Sequence, residues 1–245
     1  MKTSDKLLLG FFLLVLIIFT GVQATLYAKY KNGKILSGKE MIDRQFSTYR
    51  LAVPGNLLIH GFQWVTIVPS DSFYFHAARD GRPLTKQPYN WLADTLEITG
   101  DGLMKRNGAG YLGSESGYWE LIVYCPSIKQ IRLVSTDVNL VGNFLPHGND
   151  YRFSLLDAHL RMGSFNYPDT LRHQQYFHYL QVNADSSALY LNENAHIDSA
   201  MLFMDKKSIV NDNGASLHSI EVRCPEKTNI NLTARNFEKL KLLTE

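Results

Sequence analysis

Beyond residue 28 no stretch of the chain sustains an apolar period near 3.6 over a helix-length run, which excludes a helical architecture for most of the molecule. Charge of one sign is also scarce. The formal net charge is +2, and Lys and Arg are scattered rather than gathered into a stripe, so no nucleic-acid partner is expected. Cysteine is limited to Cys125 and Cys224, an even count that in an exported protein invites one disulfide. Catalytic constellations are missing as well. Gly113-Ser114-Glu115-Ser116-Gly117 has the outline of a nucleophile elbow, but it lies in a Gly-rich stretch without the strand-turn-helix context that an elbow needs. Among the eight histidines the closest pair, His173 and His178, has a five-residue step that matches no helical ligand spacing, and no Cys or carboxylate pair repeats beside it. No catalytic residue, metal ligand or cofactor site is assigned, and no enzymatic activity is expected.

What the chain does contain is a repeat. Leu180-Gln181-Val182 is followed by Met201-Leu202-Phe203, Ile220-Glu221-Val222 and Leu240-Lys241-Leu242, at spacings of 21, 19 and 20. A second series, Leu189-Tyr190-Leu191, Ser208-Ile209-Val210 and Ile230-Asn231-Leu232, keeps the same step about half a repeat out of phase. Each phrase alternates apolar with polar or variable residues, the mark of a strand with one buried face. Two short strands per period of about 20 residues suit a coil of strands and turns. The expected fold is therefore all-β, a single-stranded β-solenoid over residues 56–245 that opens with an antiparallel region and is preceded by one N-terminal transmembrane helix. Cys125 and Cys224 lie 99 residues apart in this frame, which is several coils. Strands stack about 4.8 Å apart, well beyond the roughly 7 Å Cα limit for a bridge, so two free, half-buried thiols are expected.

Leu7 to Ala28 is 22 residues without a charge, and a helix of that length spans the hydrocarbon layer of about 30 Å. Residues 1–28 read as a membrane anchor or signal segment, 29–55 as a juxtamembrane spacer. The apolar run is longer than a typical signal core, which favours an uncleaved anchor touching the bilayer through residues 7–28. Cleavage at Ala24, within Val22-Gln23-Ala24, is the alternative and leads to a secreted or outer-surface protein. Lys29, Lys31, Lys34 and Lys39 after the segment outnumber Lys2 and Lys6 before it. That count loses force ahead of a long domain, and a signal-like N-terminus exports the chain behind it. The expected address is the bacterial inner membrane, single-pass, with the C-terminal domain in the periplasm.

Along the domain, Leu57 to Ile59, Trp64 to Val68, Phe73 to Phe75 and Leu96 to Thr99 read as strands, with a turn at Asp80-Gly81-Arg82-Pro83. Gly100 to Gly117 reads as a long loop. Trp119 to Tyr124 reads as entering the solenoid, followed by Ile131 to Val134, Val138 to Val141, Phe153 and His159 to Met162. Asn166 to Gln175 reads as an insertion, since the step from Phe153 to Leu180 is 27. Tyr89-Asn90-Trp91 and Phe165-Asn166-Tyr167 fall in expected loops, where exposed rings stack on sugars or fill a partner's pocket. A polysaccharide-degrading β-helix needs stacked carboxylates on one coil face. Gln181, Leu202, Glu221 and Lys241 supply none.

The order of features also resembles a known family. An apolar N-terminus, a strand, Asp-Ser, strand opening over Val65 to Phe75, the phrase Asp94-Thr95-Leu96-Glu97-Ile98, the strand exit Tyr124-Cys125-Pro126-Ser127-Ile128 and the 20-residue coils are similar to the bacterial auto-transporter adhesin family with the head GIN domain. The resemblance spans residues 56 to 243 and implies a right-handed β-solenoid displayed in the cell envelope, with no catalytic residues to transfer. The coil corners depart from the family's small Gly/Ser turns at Ser135-Thr136-Asp137, Ala184-Asp185-Ser186-Ser187 and Asp212-Asn213-Gly214. The expected role is a non-catalytic, membrane-tethered, adhesin-like binding or structural module with an envelope protein or glycan as partner. The alternatives are a carbohydrate-active β-helix enzyme and an envelope sensor subunit signalling through the anchor.

Overall fold

The structure, a computed structural model, describes Phe12, Phe19, Thr20 and residues 46–100, 105–107, 110–112, 119–144, 148–163, 174–205, 207–225 and 228–244. The chain divides into two compact units, Met1–Gln45 and Phe46–Glu245. In the first, Phe12, Phe19 and Thr20 are helical. Among the described residues no helix is long and apolar enough to cross a membrane, and the rest of the apolar run Leu7 to Ala28 lies outside them.

That second unit is all-β, with two mixed sheets. One holds β1 (Ser47–Arg50), β3 (Trp64–Pro69), β4 (Tyr74–Arg79), β5 (Arg82–Pro83), β10 (Trp119–Cys125), β12 (Asp137–Leu140), β14 (His159–Met162), β16 (Ala188–Asn192), β18 (Ile209–Asn213) and β20 (Asn229–Asn231). The other holds β2 (Asn56–His60), β6 (Tyr89–Leu92), β7 (Thr95–Thr99), β11 (Gln130–Val134), β13 (Asn149–Leu156), β15 (Gln175–Asp185), β17 (Ala195–Met204), β19 (Ser216–Cys224) and β21 (Leu240–Thr244). A separate ribbon pairs β8 (Lys105–Asn107) with β9 (Gly110–Leu112), so the stretch expected to be one long loop contains a hairpin. A single turn of helix, α1 (Ala234–Phe237), precedes β21.

From β11 onward consecutive strands alternate between the sheets, and β13 to β19 each pair in parallel with the strand two before and the strand two after. One register row runs Leu57, Ile131, Phe153, Val182, Leu202, Val222, Leu242. All but the last are buried in one continuous core, which both sheets line. The row corrects the expected alignment. Leu180 stands beside Ala200, not Met201, and the step from Ala200 to Ile220 and Leu240 is an even 20. Side chains alternate faces, so a slip of one residue reverses inside and outside. Ala200 is 2% exposed, whereas Met201 is only partly buried; the larger apolar residue had marked the wrong face. In the other sheet Leu189 stands beside Val210, and Val210 beside Ile230, while Ser208 belongs to a corner. The insertion before β15 makes the step from Phe153 to Val182 29 residues, and of its expected span, Gln175 is already strand and buried.

The opening of the domain is threaded out of order. β2 and β3 form the first level, but their neighbours on one side are β7 and β10, and on the other β11 and β12. The chain makes one level, leaves through β4 to β6, returns to lay β7 and β10 beside it, then crosses to the far side. Trp119 to Tyr124 therefore does not lead into the next coil as expected. β10 lies between β4, antiparallel, and β3, parallel. The expected antiparallel opening is found in the pairs β1 with β4, β4 with β10 and β6 with β7, whereas β2 and β3 join the parallel stack.

Four successive corners leading from the second sheet into the first carry one left-handed residue, Gly61 (φ 73), Ser135 (φ 47), Asp157 (φ 50) and Ser186 (φ 51), and the last three are two-residue turns. The position after it is buried, at Thr136, Ala158 and Ser187. These stack through hydrogen bonds: the Ala158 N–H donates to Ser187 Oγ at 3.0 Å, and the Ser187 N–H to Ser208 Oγ at 3.1 Å. Gly61 is the one corner where glycine is required by space as well as by angle, because a Cβ there would sit 1.9 Å from the Gly100 carbonyl oxygen. At the far end Asp212 takes an inward position after Leu191 and closes the core. Its carboxylate accepts from the Gly214 and Ala215 N–H groups, from Thr233 Oγ1 at 2.6 Å and from Asn236 Nδ2 at 2.7 Å. Burial alone would raise its pKa, but the bonds from Thr233, Asn236 and the backbone outweigh burial and hold it below the usual Asp value.

Cys125 and Cys224 are unbridged and sit in different sheets. They are 1% and 5% exposed, more deeply buried than expected, because each continues the inward alternation of its strand after Val123 and Val222. Burial pushes the Cys125 thiol up to about 12.

Three outcomes are expected. Ser135→Val, which places a β-branched side chain at φ 47, should lower unfolding stability by about 1–3 kcal/mol in urea titration while Ser135→Gly costs little. Asp212 has a depressed folded pKa, so its contribution is complete above the ordinary Asp value of about 3.9 and is lost as pH falls through the folded value. Asp212→Asn should therefore cost about 1–3 kcal/mol at neutral pH and flatten the acid limb of stability against pH. Finally, an alkylating reagent counted by mass spectrometry should label neither thiol in the native protein and both after denaturation.

Candidate functional site

A cavity of about 670 Å³ opens beside the first levels, lined by β4 and β5 of one sheet, by β6 and Thr99 of the other, by the segment 84–88 and by Trp119. Its construction begins with the Asp80-Gly81 turn. Both residues have positive φ, 51 and 65, which makes a two-residue hairpin whose twist matches its strands. Pro83 is tolerated on β5 because that strand pairs only with β4 and needs no donor on its outer edge. The turn sets Arg79 directly across from Arg82, and Arg79 is in turn directly across from Trp119 on β10. Trp119, Arg79 and Arg82 thus form one row across three strands and project to the same face. That face continues the inward side of β4, where Phe75 and Ala77 enter the core.

Trp119 is held from several sides. Its N–H donates to Gln63 Oε1 at 3.0 Å, and the Gln63 N–H donates to the Trp119 carbonyl at 3.1 Å. Phe62 packs edge-on to the indole at 5.9 Å, and the Arg79 guanidinium lies over it at 5.5 Å. Gly100 leaves room for the ring, since a Cβ there would approach it to 3.2 Å. The indole is 7% exposed, and its Nε1–H finds no acceptor among the described residues. The segment carrying Lys86 is anchored on β1, with the Leu84 N–H donating to Ser47 Oγ at 2.9 Å, and on β7, with the Thr99 N–H donating to the Pro88 carbonyl at 2.7 Å.

The lining carries Arg79, Arg82 and Lys86 against Asp80, a formal +3 − 1 = +2. Asp80 lies 3.9 Å from the Arg79 Nε, with both side chains about half exposed, a loose pair in water. Arg82 and Lys86 have no ion-pair partner among the described residues. Two arginines directly opposite across a hairpin repel each other, a cost of about 0.2–1 kcal/mol. The arrangement suits an anion that reaches both.

Two other charged clusters hold their cation differently. On the outer side of the first sheet Arg161 is paired with the buried Asp137 and lies over Trp64 at 5.7 Å and Tyr190 at 5.5 Å. Burial pushes the Asp137 carboxyl up, against the opposing pull of Arg161. On the outer side of the second sheet a groove of about 550 Å³ contains Arg223, but Glu221 holds that guanidinium at 2.9 Å and Phe203 underlies it at 5.4 Å. In both, the cation is already engaged.

The residues singled out in the sequence are scattered through the fold. Tyr89-Asn90-Trp91 is strand β6 rather than a loop; Tyr89 packs against Tyr49 and Phe75 and borders the cavity with Asn90, while Trp91 is 38% exposed. His178 is exposed and bonds Asp150 Oδ1 at 2.8 Å, and that hydrogen bond raises its pKa. Among the described residues no three metal-ligating side chains gather closely enough to hold an ion. The outward row equivalent to Gln181 is Met201, Glu221 and Lys241, one carboxylate flanked by cations. His173, Phe165-Asn166-Tyr167 and Gly113 to Gly117 lie outside the described residues. Arg79, Arg82 and Trp119 escaped notice in the sequence. The signal was present, because a two-residue Asp-Gly hairpin forces the residues on either side into opposition. No family model and no curated protein matches the chain.

Proposed function

We propose that this chain is a non-catalytic module of the cell envelope, a β-solenoid with an adhesin-like binding or structural role. It is held in the bacterial inner membrane by a single helix over residues 7–28, with the domain in the periplasm. The observation that carries the solenoid reading is the in-register parallel stack, in which Val182, Leu202, Val222 and Leu242 succeed one another at 20-residue steps. A ladder of this kind makes a rigid support whose irregular parts are free to contact a partner. The likeness to the auto-transporter adhesin family with the head GIN domain agrees with the same periodicity. Support for a binding role comes from the cavity beside the first levels, where Arg82 and Lys86 remain uncommitted. The role as binder rather than glycan-cleaving enzyme draws on the row Gln181, Met201, Glu221, Lys241, whose single carboxylate is engaged by Arg223 and Lys241.

Location is tested by fractionating cells that express the natural chain and sequencing its first peptide by mass spectrometry. An intact N-terminus in the membrane fraction, with residues beyond 46 digested by protease added to the periplasmic side, is the expected result. A chain beginning at Thr25 in a soluble or outer-surface fraction would remove the anchor from this reading.

A further inference from the structure

We infer that the cavity between β4, β5 and β6 is a binding site for a phosphoryl group carried on a small ligand, held by Arg79, Arg82 and Lys86 beside the Trp119 indole. This names the ligand class for the binding role above and rests on that reading only for the idea that the cavity is used. It does not depend on where the protein resides.

Four observations converge. The cavity, at about 670 Å³, falls within the range of about 300–1,000 Å³ typical of small-molecule sites. Its formal charge of +2, from Arg79, Arg82 and Lys86 against Asp80, matches a phosphate monoester, which carries about −1.5 to −2 near neutral pH. The planar fork of an arginine presents paired donors to two phosphate oxygens, and the cross-strand register brings two such forks to one face. An anion between them converts their mutual repulsion into a gain. The fourth observation is the indole. Trp119 lines the cavity, is 7% exposed, and its Nε1–H has no acceptor among the described residues. A buried donor without a partner is costly, and a phosphate held by Arg79 lies against the ring which that guanidinium covers. The indole is covered by Arg79 on one side and is 7% exposed, so it offers no free platform on which a sugar ring would stack. The rest of the lining, Tyr89, Asn90 and Gln87, is polar enough to meet a hydroxylated carrier of the phosphate.

The same phosphoryl chemistry occurs on soluble sugar phosphates and on the headgroups of anionic lipids, and the test separates them. The full chain, purified in detergent, is labelled with 15N, and its three indole N–H resonances are followed by NMR, with Trp119→Phe assigning the relevant one. Inorganic phosphate, glucose 1-phosphate and phosphatidylglycerol in nanodiscs are added separately at constant ionic strength, with sodium chloride as control. A saturable displacement of the Trp119 resonance is expected, weakened about tenfold or more in Arg82→Gln and in Lys86→Gln. Both residues are exposed, so these variants keep the fold, and unchanged resonances of Trp64 and Trp91 check this. Saturation by glucose 1-phosphate supports the proposal with a soluble ligand. Saturation by phosphatidylglycerol alone supports it with a lipid headgroup as the source. No saturable displacement with any phosphate, or a displacement that both glutamine variants reproduce in full, overturns it. Because the readout is the indole of purified protein, a negative titration leaves the membrane location standing, and a cleaved N-terminus leaves the titration standing.

Discussion

A parallel ladder in register places each side chain beside its equivalent in the next level, so the core must accept like next to like along every row. The row from Leu57 to Val222 does this with aliphatic residues and one ring, Phe153. Where the ring enters, neighbouring volumes adjust: Tyr151 stacks at 6.0 Å from it, Phe177 tilts against Tyr151, and Gly142 gives way, since a Cβ there would meet Phe177 at 2.7 Å. The corners obey the same constraint. A chain that turns within two residues and returns to an identical register one level on needs a left-handed residue at one fixed place, which is why Ser135, Asp157 and Ser186 adopt a conformation usually left to glycine.

Regularity of this kind leaves little room for a site. In the repeated levels polar groups at the corners bond one another, and the outward Arg161 and Arg223 are each clamped by a carboxylate and an aromatic ring. The open cavity occurs where the pattern breaks, at the antiparallel strands β4, β5 and β6. There an arginine follows an inward phenylalanine and alanine along the same strand face. Function, on this view, belongs to the irregular opening and rigidity to the levels behind it.

Much of the strand content was legible, since alternation is written in each phrase and the step near 20 survives without any long-range information. Two things were not. Ala200 and Met201 are both apolar, and local alternation cannot say which faces inward until the neighbouring strand fixes the register. The reordering at the start was equally hidden, because β10 has the same alternation whether it leads into the next level or slots between β3 and β4. What decides is the company each strand keeps: β3 needs partners on both edges, and only β10 and β12 provide them. The cavity was invisible for a related reason. Arg79, Arg82 and Trp119 are spread over 41 residues, and only the hairpin and the β10 pairing bring them into a row.

That threading also governs the order in which the molecule can assemble. β2 and β3 are made early, yet all their neighbours, β7, β10, β11 and β12, lie downstream, and Leu57 meets Ile131 only across 74 residues of chain. Contacts so distant in sequence carry a high closure entropy and form slowly. The later levels are different, for each finds the preceding strand already in place about 20 residues behind it. Growth is therefore directional from the middle of the chain, and in the first level β2 waits for a partner until residue 99 has been made and β3 until residue 125 has. During that interval its exposed ladder is the part of the protein most open to pairing with another chain.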